Sequence, residues 1–355
     1  MPTESFCIKV PKTQVEKTLT SVKKLDLHNP DLEIKKSADA VLIPIKRQLF
    51  ETELLTLKTQ APELQLSTAM FTERKKQKTH IDFLADKVPQ ELLAKLPRAL
   101  DVIGDIAIVE FPPELNLYSS LIGDAIIKTH KHIRTVLAKA GAVSGIYRLR
   151  ELIPIAGEPK TFTIHKEYGC QYHVDLSKAY FSPRLSNEHH RVASLVQNNE
   201  IVVDLFAGVG PFAVLIAKEV PTVKVYAVDI NPDAVDLLQK NVRLNRVENR
   251  VFPILGDADD VVKKRLSGVA DRVIMNLPEK AIDYIEAACI TAKPIGAILH
   301  FYCFIRQPDT IAKLQTRLSE AISKAGRRVD QFLFAKTVRE TAPYEWQAVV
   351  DAKIL

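Results

Sequence analysis

From about residue 171 to the C-terminus the sequence alternates short apolar runs with longer amphipathic ones, and no other feature constrains the fold as strongly. "IVVDLFA" is followed by "PFAVLIAKEV", and "KVYAVDI" by "PDAVDLLQKNVRLNRV"; "VFPILGDA", "RVIMNLP" and "AILHFYCF" are further strand-length runs with helical stretches between them. Strands joined through helices pair in parallel, because the crossover carries the chain back to the same end of the sheet. A doubly wound, mostly parallel, Rossmann-like sheet is therefore expected over 171–355. Its last two runs, "RVDQFLFAKTVRE" and "WQAVVDAKIL", read as a hairpin added at the sheet edge.

Two smaller α/β domains are expected before it. Residues 1–71 carry a strand ("FCIKV"), a helix with Val15, Leu19 and Val22 at helical spacing, and a hairpin of "LEIKK" and "AVLIPI". The polar, basic "TERKKQKTH", Thr72 to His80, is either a linker or a phosphate contact. Residues 72–170 read as a second α/β domain. There "IDFLADKVPQELLAKLP" is a helical segment, "VIGDIAIVEFP" a strand and "SLIGDAIIKTHKHIRTVLAKAG" one amphipathic helix bearing His130, Lys131, His132 and Arg134. "SGIYRLRELIPIAG" and "TFTIHKEYGCQYHVDL" are read as alternating strands.

Composition bounds the setting. With 46% apolar and 26% charged residues the chain is of ordinary globular type. Its apolar stretches are strand-length, so no transmembrane helix is expected, and "MPTESFCIKV" has no signal-peptide pattern. Cys7, Cys170, Cys289 and Cys303 lack metal-ligand spacing and suit a reducing cytoplasm; no metal is expected. The net charge of +6 is mildly favourable for a polyanionic partner.

Ligand binding is written at the strand ends. In "DLFAGVGPF", Gly208 and Gly210 permit a tight turn close to a ligand, but the spacing is neither GxGxxG nor a P-loop, and Phe212 stands near the third-glycine position. Three acids close three successive strands: Asp204, Asp229 and Asp257. Asp229 is placed for a ribose, Asp257 for an adenine amino group, and Asp204 for an ammonium. Each alone is as well explained as a turn or N-cap aspartate. In register they favour S-adenosylmethionine over a pyrophosphate-bearing dinucleotide, which wants bare amides and positive charge.

After the fourth strand comes "NLPEKA". Asn276 and the Pro278 carbonyl either grip the edge of a planar heterocycle or form a simple turn. Upstream, "AYFSPRLSNEHHRV" holds Tyr180, Arg184, Glu188, His189 and Arg191 around a helix start. Glu188 there reads either as a complement to the helix dipole or as a functional carboxylate. Arg148, in "YRLRE", reads as a strand arginine.

"SGIYRLRELIPIAGE", "TIHKEYGC", "YFSPRLSNE", "VVDLFAGVGPFA", "VDINPDAV", "NLPEKA" and "VRETAPYEWQAVVDAKI" together resemble the archaeal and eukaryotic-type tRNA (guanine-N1)-methyltransferases that act at position 37, beside the anticodon. The resemblance implies a cofactor, S-adenosyl-L-methionine, held by Arg184, Asp204, Phe206, Gly208, Asp229, Ile230, Asp257 and Asn276. It implies Glu188 as general base, Arg148 as the partner of guanine O6, Asn276 and Pro278 on the base edge, and Tyr180 beside the target nucleotide. It also implies a tRNA partner that meets the protein at the anticodon loop and, through residues 1–71, at the outer corner; a cytoplasmic monomer is expected. One departure is His189, where the family often has arginine after the glutamate; Arg191 follows two residues later. Competing readings are a wyosine-pathway transferase on the same fold, either methylating a tricyclic guanine derivative or moving an aminocarboxypropyl group, and a non-catalytic tRNA-binding protein. The intact Asn-Leu-Pro argues against aminocarboxypropyl transfer, and the intact acids against a relic.

Overall fold

The computed structural model describes residues 2–37, 39–74, 79–141 and 143–355. The basic centre of the 72–80 stretch, at 75–78, lies outside the described residues, and with it the choice between linker and phosphate contact. The chain divides into two compact units, Met1–Thr79 and His80–Leu355.

In the first unit, β1 (Pro2–Pro11), β2 (Lys35–Lys36), β3 (Ala40–Pro44) and β4 (Gln65–Thr72) form an antiparallel sheet in the order β2-β3-β1-β4. The expected hairpin is present as β2 and β3. Helices α1 (Val15–Lys24) and α2 (Glu51–Gln60) complete a core in which Ile8, Val10, Val22, Ile43 and Leu57 are fully or almost fully buried.

The second unit begins with two short helices, α3 (His80–Leu84) and α4 (Gln90–Leu93), where a longer helical segment is expected. "VIGDIAIVEFP" is two strands, β5 (Asp101–Ile103) and β6 (Ile106–Val109), because Gly104 turns the chain at φ +56°. The long amphipathic helix is likewise shorter than the sequence suggests. It ends at Thr129 as α5 (Ser119–Thr129), and its second half becomes strand β7 (Thr135–Lys139), parallel to β6. His130, Lys131, His132 and Arg134 therefore lie between elements, and the β-branched start of "TVLAK" marks the strand that the helical pattern concealed. Strand β8 (Leu152–Gly157) pairs with β7, leaving residues 145–148 in turns. The hairpin of β9 (Phe162–Glu167) and β10 (Cys170–Asp175) follows.

Next come α6 (Ser186–Ala193), β11 (Ile201–Asp204), α7 (Pro211–Glu219), β12 (Lys224–Asp229), α8 (Pro232–Leu244), β13 (Val251–Leu255), α9 (Ala258–Val261), β14 (Arg272–Met275), α10 (Ile285–Thr291), β15 (Ala297–Arg306), α11 (Ile311–Lys324), β16 (Val329–Ala342) and β17 (Glu345–Ile354). Their seven strands form one sheet in the order β13-β12-β11-β14-β15-β17-β16. The first five are parallel, and the terminal hairpin adds antiparallel to β15. Alternate residues feed opposite faces, as the strand period requires. Val202, Val225, Ile274, Tyr302 and Val349 pack with α6–α8. Val203, Val273, Phe301, Ala348 and Val350 pack with α9–α11. β11 and β14 are neighbours although two strands intervene in sequence. At this reversal the connecting helices leave to opposite faces and open a crevice at the strands' C-terminal ends.

Hairpin β9–β10 is bound to α8 by two asparagines. Asn241 and Asn245 each accept from one backbone N–H of β10 and donate to a carbonyl of it, at 2.6–3.2 Å. The segments on either side of residue 170 thus lie in one unit.

Candidate active site at the sheet switch point

A cavity of about 380 Å³ opens at this crevice. Its wall includes Phe206, Gly208, Asp229, Ile230, Asp257, Asn276 and Pro278, together with Arg148 and Tyr180. The glycine turn supplies the near side. Gly210 precedes Pro211, the first residue of α7, at φ +90°, and a Cβ there would meet Leu238 Cδ1 within 2.2 Å. Gly208, at φ +55°, has no atom closer than 3.8 Å to a built Cβ, so the backbone itself faces open space.

Several amides of this turn already have partners. Gly208 N–H donates to Asp229 Oδ2 at 2.6 Å, Phe206 N–H to Asp204 Oδ1 at 3.3 Å, and Gly210 N–H to Ala207 O at 2.9 Å. A phosphate would find the Gly208 and Gly210 donors engaged and two carboxyl groups nearby, so the turn suits a neutral or cationic ligand. Burial pushes the Asp229 carboxyl above its ordinary value, against the N–H donors of Asn231 and Gly208. Asp257 caps α9 by accepting from Asp259 N–H at 2.9 Å, and it also lines the cavity.

Asp204 is placed differently from its neighbours. It is 0% exposed and stands outside the residues that line the cavity. Its Oδ2 is buried without a hydrogen-bond partner, and burial, with Asp229 nearby, pushes its carboxyl up to about 7. A buried carboxyl oxygen without a partner beside this turn favours a ligand carrying positive charge over a phosphate.

Arg148, which also lines the cavity, sits at φ +56° in a turn rather than in a strand. Its guanidinium lies 2.7 Å from Glu279 Oε2 and over the Tyr180 ring at 5.6 Å. The Pro278 carbonyl accepts from Phe304 N–H at 3.1 Å, which ties "NLPEKA" to β15 and leaves one lone pair of that oxygen. Arg184, expected on the cofactor, instead pairs with Asp101 through Nε at 2.5 Å and Nη2 at 3.2 Å. It lines an adjoining cavity with Lys139 and Arg150, which shares Arg148 and Tyr180 with the first.

Glu188 is 2% exposed and does not line the cavity, although Leu185 and His189 do. Its Oε2 accepts from Arg191 Nε at 2.8 Å and Tyr302 Oη at 3.1 Å, and its Oε1 stands 2.7 Å from Lys336 Nζ. Burial raises its carboxyl, but Lys336 and Arg191 outweigh burial and hold it below the ordinary carboxylate value. Arg191 is itself held by Asp351 at 2.6 Å, and Asp351 by the Nδ1 side of His300 at 2.7 Å. His189 points elsewhere, to Glu167 at 2.7 Å, so Arg191 is the arginine that serves Glu188.

Sequence reasoning missed Tyr302, Lys336, Arg339, Gln347 and Asp351. A signal for two of them was present. Gln347 and Asp351 interrupt an apolar strand at even spacing, which places both on one buried face, and buried polar groups need partners. Among the described residues no group of three or more His, Cys, Asp or Glu could hold a metal ion, and no helix is long and apolar enough to cross a membrane.

A doubly wound sheet whose switch-point turn is closed by aspartates, with a methyltransferase domain model matching residues 163–330, places the protein among S-adenosylmethionine-dependent methyltransferases. That model is the TRM5/TYW2 methyltransferase domain; the TYW2 N-terminal domain matches residues 81–161 and the tRNA methyltransferase 5 N-terminal domain residues 7–53. The chain is 43% identical over 267 residues, 75% of its length and 78% of the relative's, to the tRNA (guanine(37)-N(1))-methyltransferase Trm5b of Pyrococcus abyssi. It is 33% identical over 98% of both chains to the Trm5b of Methanocaldococcus jannaschii. The crystal structure of Trm5b from Pyrococcus abyssi superposes with a TM-score of 0.71 at 36% identity, covering 99% of each chain. The chain belongs to the family of tRNA (guanine(37)-N(1))-methyltransferases.

Proposed function

We infer that this protein transfers a methyl group from S-adenosyl-L-methionine to N1 of guanosine 37 in tRNA. The observation that carries the reading is one cavity joining two kinds of wall. Gly208, Asp229, Ile230 and Asp257 line it and would hold the cofactor, and Asn276, Pro278, Arg148 and Tyr180 line it and would hold a planar base. When bound, the cofactor supplies an electrophilic methyl group on a sulfonium. Asp229 and Asp257 would take its ribose and adenine, Phe206 and Ile230 would pack on it, and the unpartnered Asp204 oxygen would answer its positive charge.

Guanine N1 carries a proton and becomes nucleophilic as that proton leaves. Arg148, permanently charged and fork-shaped, would stabilise the negative charge growing on O6, after exchanging its contact with Glu279 for the base. Glu188 would accept the N1 proton. Its Oε1 meets only Lys336 among the described residues, and that lysine's side chain is 43% exposed and free to swing aside, whereas Arg191 and Tyr302 keep Oε2 in place. Tyr180 and the Asn276–Pro278 edge would hold the base, which must leave its stack to enter.

The protein is further read as a cytoplasmic monomer that meets the anticodon loop through the charged cavity beside Arg184 and the tRNA outer corner through residues 1–71. Four free, buried cysteines agree with a reducing compartment. Mass spectrometry of nucleosides from tRNA incubated with the protein and labelled cofactor should find 1-methylguanosine at position 37. An aminocarboxypropyl product, or no product while cofactor binds, would overturn the reading.

A further inference from the structure

Beside the candidate base edge lies a chain of hydrogen bonds that the mechanism above does not use. Arg339 and Gln347 sit opposite each other on β16 and β17, next to a break in strand register. The Arg339 guanidinium uses three nitrogens. Nε donates to Gln347 Oε1 at 2.9 Å, Nη1 to Ser182 Oγ at 3.1 Å, and Nη2 to Tyr180 Oη at 3.3 Å. Gln347, 1% exposed, then donates from Nε2 to Asn276 Oδ1 at 3.2 Å.

The direction of this chain is fixed by chemistry. A guanidinium only donates, so the Gln347 atom facing it must be the carbonyl oxygen. The Gln347 amide nitrogen then faces Asn276, and the Asn276 atom it meets must be oxygen. The amide hydrogens of Asn276 are left for the cavity that Asn276 lines. An isolated asparagine would flip freely and offer donor or acceptor alike; this one is committed to offering a donor.

We propose that Arg339 and Gln347 are positioning residues for methyl transfer, locking the Asn276 amide with its donor toward the base while the same guanidinium fixes the Tyr180 and Ser182 hydroxyls. A donor there suits the position-6 side of guanine, whose O6 has a second lone pair besides the one Arg148 would take, whereas adenine carries an amino donor at that position. The register break in β16 has a use on this view, since it brings Arg339 level with Gln347. The proposal rests on the methyl-transfer reading, and a wild-type protein inactive on guanosine 37 would sink that reading.

The test uses the full chain in single-turnover methylation of tRNA. Gln347→Glu keeps size and the acceptor for Arg339 but removes the donor to Asn276. It should lower the rate constant at saturating tRNA and cofactor about 10- to 100-fold, the scale of a misplaced reacting partner. Cofactor affinity should stay within about twofold. In an Asn276→Ala background the same change should have little further effect, because the amide it orients is gone. An equal loss in both backgrounds would mean a general structural role and overturn the proposal, as would an unchanged rate. Arg339→Lys guards against misfolding of the glutamate variant, since it keeps the charge that attracts RNA but not the three-way geometry. It should slow the chemical step by a similar factor with tRNA affinity within about threefold. Loss of tRNA affinity with the single-turnover rate intact would make Arg339 a phosphate contact and refute the lock.

Discussion

Replacing Glu188 by glutamine separates a general base from a buried structural carboxylate, and the structure sets both magnitudes. The carboxylate is held by Arg191 at 2.8 Å, Tyr302 at 3.1 Å and Lys336 at 2.7 Å, almost out of solvent. Stranding a buried charge would cost about 3–5 kcal/mol. Neither cation is stranded here, because Arg191 keeps Asp351 at 2.6 Å and the Lys336 side chain can move into water. The glutamine oxygen can still accept from Arg191 and Tyr302. The stability loss should therefore be nearer the ~1–3 kcal/mol of a weakened hydrogen-bonded group, and the variant should remain folded. Loss of proton acceptance should lower the single-turnover rate by roughly 10²–10⁴-fold, about 3–5 kcal/mol of barrier, with cofactor and tRNA affinities almost unchanged. The pairs hold the folded carboxyl below its ordinary value, so their stabilisation is present above that value and is lost as pH falls through the folded one. The melting gap between wild type and variant should accordingly close below about pH 4, while any rate inflection from this base falls below the ordinary carboxylate range. Rapid-quench single turnover with labelled cofactor checks the kinetics and melting against pH the stability. A variant that methylates at full rate would end the role of Glu188 as base.

Asp229→Ala should weaken cofactor binding by about 1–3 kcal/mol, because Asp229 both lines the cavity and accepts from Gly208 N–H; unchanged affinity by calorimetry counts against this site. Asp204, raised to about 7, costs the folded state stability as pH climbs from the ordinary carboxyl range toward that value, and the cost levels off above it. The stability gained by Asp204→Asn over wild type should therefore grow between about pH 4 and pH 7 and change little beyond, and wild-type cofactor binding near pH 7 should release a proton that the variant does not; calorimetry in buffers of different ionisation heat reads the difference, and equal heats refute it. Deleting residues 1–71 should weaken binding of whole tRNA more than of an anticodon stem-loop, measured by filter binding, and equal loss on both rejects outer-corner docking.

The sequence by itself determined the sheet and which strand-end residues line the cavity at its C-terminal edge. Both depend on local rules: strand–helix alternation forces parallel pairing, the glycines permit the turn, and acids at strand ends arrive together once the strands lie in register. Gly208, Asp229, Asp257 and Asn276 were legible for that reason. Tertiary structure decided the rest, because contacts between residues far apart in the chain leave no periodic trace. It put Arg184 on Asp101, drew Glu188 into a cluster with Lys336 and Asp351 from the terminal hairpin, and turned His189 toward Glu167 so that Arg191 took the place beside the glutamate. It also broke the expected long helix at Thr129, where pairing of β7 with β6 and β8 outweighed an amphipathic pattern. The orientation of the Asn276 amide belongs wholly to this second kind. No property of asparagine selects it; a guanidinium sixty-three positions away does, because it can only donate.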